Sequence, residues 1–137
     1  MNSLRNQRTS ERGSAGLKIL LVFLGLFLVG HGLWNYVPVA YNGASFKQEM
    51  DTAVVKALAA SGQIKPLDAA TATVTKAAHD YGIPADAIIE VKPVGGVVQV
   101  YASYTQPVNI LPLGLFKYNY KFDYTARPVG YLMKDSK

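Results

Sequence analysis

Two histidines and the acid beside one of them are the first places to look for chemistry. His31 lies in an apolar run without charged residues, ILLVFLGLFLVGHGLWNYV at residues 19–37. Neutral imidazole is a common axial ligand, so His31 is a candidate for the metal of a haem or chlorophyll. The plainer role is interfacial placement or a hydrogen bond to a neighbouring helix. His79 is followed at once by Asp80. Adjacent residues on a helix point apart, so this pair is expected to be a solvated helix end and not a dyad. The sequence holds no Ser-His-Asp set, HExxH, phosphate-cradling glycine loop or paired-His metal spacing. It also has no cysteine, which removes disulfides, thiolate metal sites and Cys nucleophiles. The expectation is a chain with no catalytic residues and no metal or cofactor of its own.

The run that holds His31 is the element around which the rest is arranged. A bilayer core of about 30 Å needs roughly 20 apolar residues in a helix, and residues 17–37 supply them. Lys18 at one end, and Trp34 and Tyr36 at the other, are the expected interface residues, because basic and amphipathic aromatic side chains favour the headgroup layer. Pro38 has no N–H to donate and is expected to end the helix. A cleaved signal peptide is the rival reading. The apolar run exceeds the usual 7–15 residues, and Pro38-Val39-Ala40 is a poor cleavage site, so an uncleaved anchor is expected.

The 137-residue chain carries a formal net charge of +5, placed unevenly. Arg5, Arg8, Arg12 and Lys18 precede the anchor against one acid, Glu11. That asymmetry reads as an orientation signal and not as a nucleic-acid footprint. It puts the N-terminus in the cytoplasm and the C-terminal domain in the periplasm of a bacterial inner membrane. The expected divisions are a basic cytoplasmic leader at 1–16, disordered by itself over 1–13; the transmembrane helix at 17–37; a linker at 38–43 with Asn42-Gly43 turn chemistry; a domain at 44–130; and a tail at 131–137.

Within the domain, Phe46, Met50, Ala53, Val54, Ala57 and Leu58 share one face of a helix over 44–61, with Gly62 as its stop. Leu67, Ala70, Val74, Ala77, Ala78 and Tyr81 share a face of a second helix over 66–81. Strands are expected at 88–92, 97–106 and 116–127, the first two joined tightly through Gly95-Gly96. Phe116, Tyr118, Tyr120, Phe122 and Tyr124 alternate with polar residues, the pattern of a sheet with one covered and one wet face. The fold class is therefore α+β: a transmembrane helix, then two helices packed on a three-stranded antiparallel sheet.

The connection at 109–115, NILPLGL, is too apolar for an ordinary exposed loop. Either it folds over an open end of the core, or Ile110, Leu111, Leu113 and Leu115 contact the membrane or a partner. Gly25, Gly30 and Gly32 would permit close approach of a partner helix.

Over QRTSERGSAGLKILLVFLGLFLVGHGLWNYVPVAYNGASF and YGIPADAIIEVKPVGGVVQVYASYTQPVNI the chain resembles uncharacterised single-span proteins of acidobacterial type, classed as a domain of unknown function. That resemblance implies a small helical and stranded domain behind one anchor, and no activity or site residues. The leader distantly resembles a type IV prepilin, with Gly13 where the peptidase cuts. Lys18 stands where that family has Glu, and the expected stop at Pro38 departs from a pilin helix that runs on into its head.

The expected function is a non-catalytic accessory subunit of a larger integral membrane complex, such as a photosynthetic reaction centre or another electron-transfer complex. It would touch the lipids, chlorophylls or carotenoids of its host. The alternative is a pilin-like or envelope-assembly component that self-associates through its helix.

Overall fold

Apolar residues at three- and four-residue steps drive a single helix much longer than the anchor. In the computed structural model, which describes residues 10–60 and 64–128, helix α1 runs unbroken over Ser10–Ala59. The leader up to residue 9, the proposed stop at Gly62 and the tail at 131–137 lie outside the described residues. Helix α2 spans Pro66–Asp80, with Pro66 in the first turn where its missing N–H costs nothing. Strands β1 (Ile88–Val94), β2 (Val97–Asn109) and β3 (Lys117–Ala126) form an antiparallel sheet in that order, with β2 central. One apolar helix followed by helices on a three-stranded sheet is the expected architecture. What differs is that the anchor and the first domain helix are one element.

The linker at 38–43 is therefore helix, and Pro38 sits inside α1. Residues 10–13, expected to be disordered, are helical as well. Proline removes one backbone hydrogen bond and crowds the carbonyl four residues back. Such a site persists when packing on both sides holds the axis. Here Gly32 and Tyr36 before Pro38, and Gly43 and Phe46 after it, all lie against β2 and β3 or the loop between them. The sheet splints the helix across its weak point. Asn42-Gly43 makes no turn because Gly43 is needed for contact. A Cβ there would lie 3.1 Å from Tyr120 Cζ and closer still to its hydroxyl.

The core lies between the C-terminal half of α1, α2 and one face of the sheet. Phe46, Met50, Val54, Val74 and Val100 are fully buried, with Ala53, Ala70, Val98, Ala102 and Phe122 around them. Tyr104 stacks on Phe122 at 4.9 Å between ring centroids, and Phe46 meets Phe122 at 5.8 Å. Of the residues placed on the buried faces by spacing alone, Leu58 is largely exposed and Leu67 about one-third exposed. The Gly95-Gly96 connection is a two-residue turn with positive φ at both positions (59° and 82°), which glycine adopts without strain.

β1 ends its pairing at Ser103 of β2, whereas β2 and β3 stay paired to Asn109 and Lys117. A two-stranded ribbon thus projects past β1 by roughly 20 Å. Pro107 falls on the edge of β2 that this exposes, where no ladder bond is lost. The aromatic ladder of β3 follows the same geometry. Phe122 is buried and Tyr120 and Tyr124 are half-buried, whereas Tyr118 and Phe116, toward the end of the ribbon, are exposed.

A polar seam closes the α1–β3 contact. The Tyr124 hydroxyl donates to Asp51 Oδ1 at 2.7 Å, and Lys47 Nζ lies 4.6 Å from the centre of the Tyr124 ring. Burial, and then the bond to Asp51, push the Tyr124 phenol up to about 12; burial, and then Tyr120, do the same for Tyr104. In the unfolded chain both phenols ionise near their ordinary value of about 10. The folded state holds more protons between the two values, so stability is full below about pH 10 and falls as pH rises toward 12. Urea titrations of the full chain in detergent should show this fall, and Tyr124→Phe should make it shallower. At pH 8 the same substitution should cost about 1–2 kcal/mol through the lost hydrogen bond.

Candidate membrane interface

The described residues contain one helix long and apolar enough to cross a membrane, and the window that qualifies it is wholly unburied. No charged side chain occurs between Lys18 and Lys47. At 1.5 Å per residue that is roughly 40 Å of helix, more than the hydrocarbon alone requires. Lys18 is exposed at one end of this stretch. Trp34, 83 % exposed, lies toward the other end. Tyr36 is half-buried instead, with its ring edge-on to Tyr118 and Tyr120 at 6.0 and 6.3 Å. It belongs to the splint.

The three anchor glycines separate into two kinds. Gly25 and Gly30 each open onto empty space, on sides of the helix roughly 140° apart, so both sides are open to another helix or to lipid. Gly32 is taken up within the chain, since a Cβ there would lie 3.2 Å from Ile110 Cγ2 and 3.3 Å from the Ile110 carbonyl oxygen. The β2–β3 loop therefore docks directly on the anchor helix. Between them lies an apolar slot of about 350 Å³ lined by Leu28, Val29, Gly32, Leu33, Tyr36, Ile110 and Leu111. Of the loop residues singled out by composition, Ile110 and Leu111 face α1. Leu113 and Leu115 point away from it, 96 % and 75 % exposed. Leu113 adopts a left-handed conformation (φ 62°), and Gly114 follows with φ 68°.

His31 finds its partner in the same loop. Its Nδ1 lies 3.2 Å from the Ile110 carbonyl oxygen, which can only accept, so Nδ1 carries the proton and donates. Asn35 Nδ2 lies 3.4 Å from both ring nitrogens and donates to the His31 carbonyl at 2.9 Å. A polar residue in the span is thus matched to a polar atom that the loop brings to it. Asn35 was not visible as a site residue in the sequence.

His79 lies at the exposed end of α2, its Nδ1 3.6 Å from Asp80 Oδ1, beyond hydrogen-bond length. Asp80 bonds to Lys76 Nζ at 2.7 Å beside a cleft lined by Glu49, Lys56, Thr73, Ala77 and Tyr81. That hydrogen bond lowers the Asp80 pKa and raises that of Lys76, holding both in their charged forms. A general acid or base needs the opposite displacement. Among the described residues no group of three or more His, Cys, Asp or Glu could hold a metal ion. No known protein-family model matches the chain, and no curated protein or solved structure matches it either.

Proposed function

We propose that the chain is a non-catalytic, single-span accessory subunit that docks on the edge of a larger membrane complex, with its head on that complex's outer surface. The observation that carries this reading is the rigid join. α1 passes through Pro38 without a break, and the ribbon braces it on both sides, so the head has one height and one rotation relative to the span. A tether that only kept a domain near the membrane would gain nothing from such coupling. A protein whose span and head must meet one partner surface together does gain from it. The open positions at Gly25 and Gly30, on two different sides of the helix, each leave room for a neighbouring helix to approach the span.

By the charge asymmetry of the sequence, the N-terminus is cytoplasmic and the head periplasmic in a bacterial inner membrane. An electron-transfer or photosynthetic complex is the host we favour, its lipids, chlorophylls or carotenoids lying against α1. The test is solubilisation of native membranes in mild detergent with the tagged full chain. Co-migration with larger integral membrane proteins on a native gel is the expected result, and recovery as a free monomer would sink the reading.

A second reading has an observation of its own. An unbroken helix whose far half packs on an antiparallel sheet is the arrangement expected of a pilin-like subunit, and the expected stop at Pro38 no longer argues against it. Lys18, in place of an acid, still does. Intact mass decides between the two: loss of the residues up to Gly13, with a ladder of self-associated species, favours the pilin-like chain.

A further inference from the structure

The exposed leucines at the ribbon tip, the height at which the ribbon meets α1 and the bonding of its backbone converge on one occupant. We infer that the β2–β3 loop is a second membrane element, inserted among the acyl chains of the leaflet on the head's side. The inference rests on α1 spanning a membrane and is independent of any protein partner.

Height comes first. Ile110 and Leu111 lie against residues 28–33 of α1. Hydrocarbon that begins beyond Lys18 and extends about 30 Å reaches close to Pro38. Gly32 then lies roughly 9 Å, and Leu28 roughly 15 Å, inside that boundary. The ribbon cannot keep its contact with Gly32 and remain in water.

The surface fits that position. Leu113, Leu115 and Phe116 are all exposed and fall within four consecutive residues, next to a helix whose own apolar side chains are exposed around its circumference. The apolar slot between Ile110, Leu111 and the helix is continuous with the same layer. Lys117 follows at once, and its stem runs 3.7 Å from where a Cβ on Gly114 would be. From there its ammonium can reach back toward lipid phosphates while the stem stays in the apolar layer.

Backbone bonding at the base of the loop, at residues 110–112 and 115–116, is the third observation. In hydrocarbon an unpaired N–H or C=O has no water to turn to. The N–H groups of Ile110 and Leu111 both donate to the Phe116 carbonyl, at 3.0 and 3.3 Å, and that of Leu115 donates to Pro112, at 3.4 Å. Pro112 has no N–H at all. The Ile110 carbonyl faces the helix, and His31 donates to it. On this reading His31 sits in the span because the inserted loop needs one donor at that depth.

The native chain has no cysteine, so single-cysteine variants report cleanly. Leu113→Cys, Leu115→Cys, Leu24→Cys and Val55→Cys would each carry a nitroxide in the full chain, reconstituted in phosphatidylcholine–phosphatidylglycerol vesicles. Collision with oxygen and with a water-soluble nickel chelate would be measured by power saturation. The expected result is an oxygen-to-nickel ratio at 113 and 115 about tenfold or more above that at 55, and near that at 24, because hydrocarbon excludes the polar chelate. Nickel access at 113 and 115 equal to that at 55 overturns the inference while position 24 stays protected. Low access to both reagents at 113 and 115 overturns it too, since the tip is then packed on protein. Nickel access at 24 would instead remove the spanning helix itself. Leu113 makes no packing contact that its substitution would lose, so misfolding does not confuse the outcome.

Discussion

Phe46→Ala should cost the head about 3–5 kcal/mol, the range for deleting a fully buried aromatic ring. Phe46 is 0 % exposed and meets Phe122 at 5.8 Å, where α1 packs on β3. Its surroundings cannot collapse to fill the gap. On one side is the backbone of α1, and on the other is the paired β2–β3 ladder. A domain of this size has only about 5–15 kcal/mol to lose, so the variant should give up a large fraction of its stability. The measurement is urea unfolding of the full chain in detergent, followed by far-ultraviolet circular dichroism. Leu58→Ala is the control, because Leu58 shares the apolar face by spacing yet is 55 % exposed, and it should change stability by less than about 0.5 kcal/mol. Equal losses from the two variants would mean that the packing of α1 on the sheet is misplaced.

That pair also shows what could be read from residue order and what could not. Element type and order followed from periodicity, because β2 and the α2 face repeat cleanly at steps of two and of three to four. Val98, Val100, Ala102 and Tyr104 are all buried on the face that alternation assigns them. The failure came at residues 38–43, where local rules favoured a break. Pro38 and Asn42-Gly43 are breakers in isolation. Yet Gly32, Tyr36, Val39, Gly43, Phe46 and Met50 continue a single three- and four-residue stripe across them, and each is buried or half-buried. Two of those positions are glycines, which carry no hydrophobic signal, so the stripe was hidden by the residues that allow its closest contacts. The depth of the β2–β3 loop was hidden for a related reason. Its apolar composition was plain, but nothing in NILPLGL says that Ile110 lies against Gly32, a contact across 78 residues of chain. His31 could be read as a polar residue needing a partner; which partner it had depended on that contact.

The strongest test of the continuous helix is to disturb its phase. Inserting two alanines between Tyr41 and Asn42 adds about 3 Å of length and turns everything beyond by roughly 200°. Were residues 38–43 a flexible linker, the change would be absorbed and the head would keep its fold and its position. In a continuous α1 it cannot be. Phe46 and Met50 would carry the sheet around to the opposite side of the span, so that Ile110 leaves Gly32, Tyr118 and Tyr120 leave Tyr36, and the His31 bond to the loop is lost. The head core beyond residue 46 is untouched, so circular dichroism should still report the native helices and sheet. The yield of a disulfide between cysteines placed at Gly32 and Ile110 should drop at least about tenfold with the insertion relative to the parent chain, because the pair then exceeds bridging distance. Inserting seven alanines, close to two full turns, should rotate the head back to within about 20° of its starting phase while raising it roughly 10 Å. That variant separates the two variables: its loop faces the helix again, but at a higher level, and the crosslink should shift from Gly32 toward Val39. An unchanged Gly32–Ile110 yield in both insertions would show that span and head are joined by a hinge and that the rigid-join argument for partner docking has no basis.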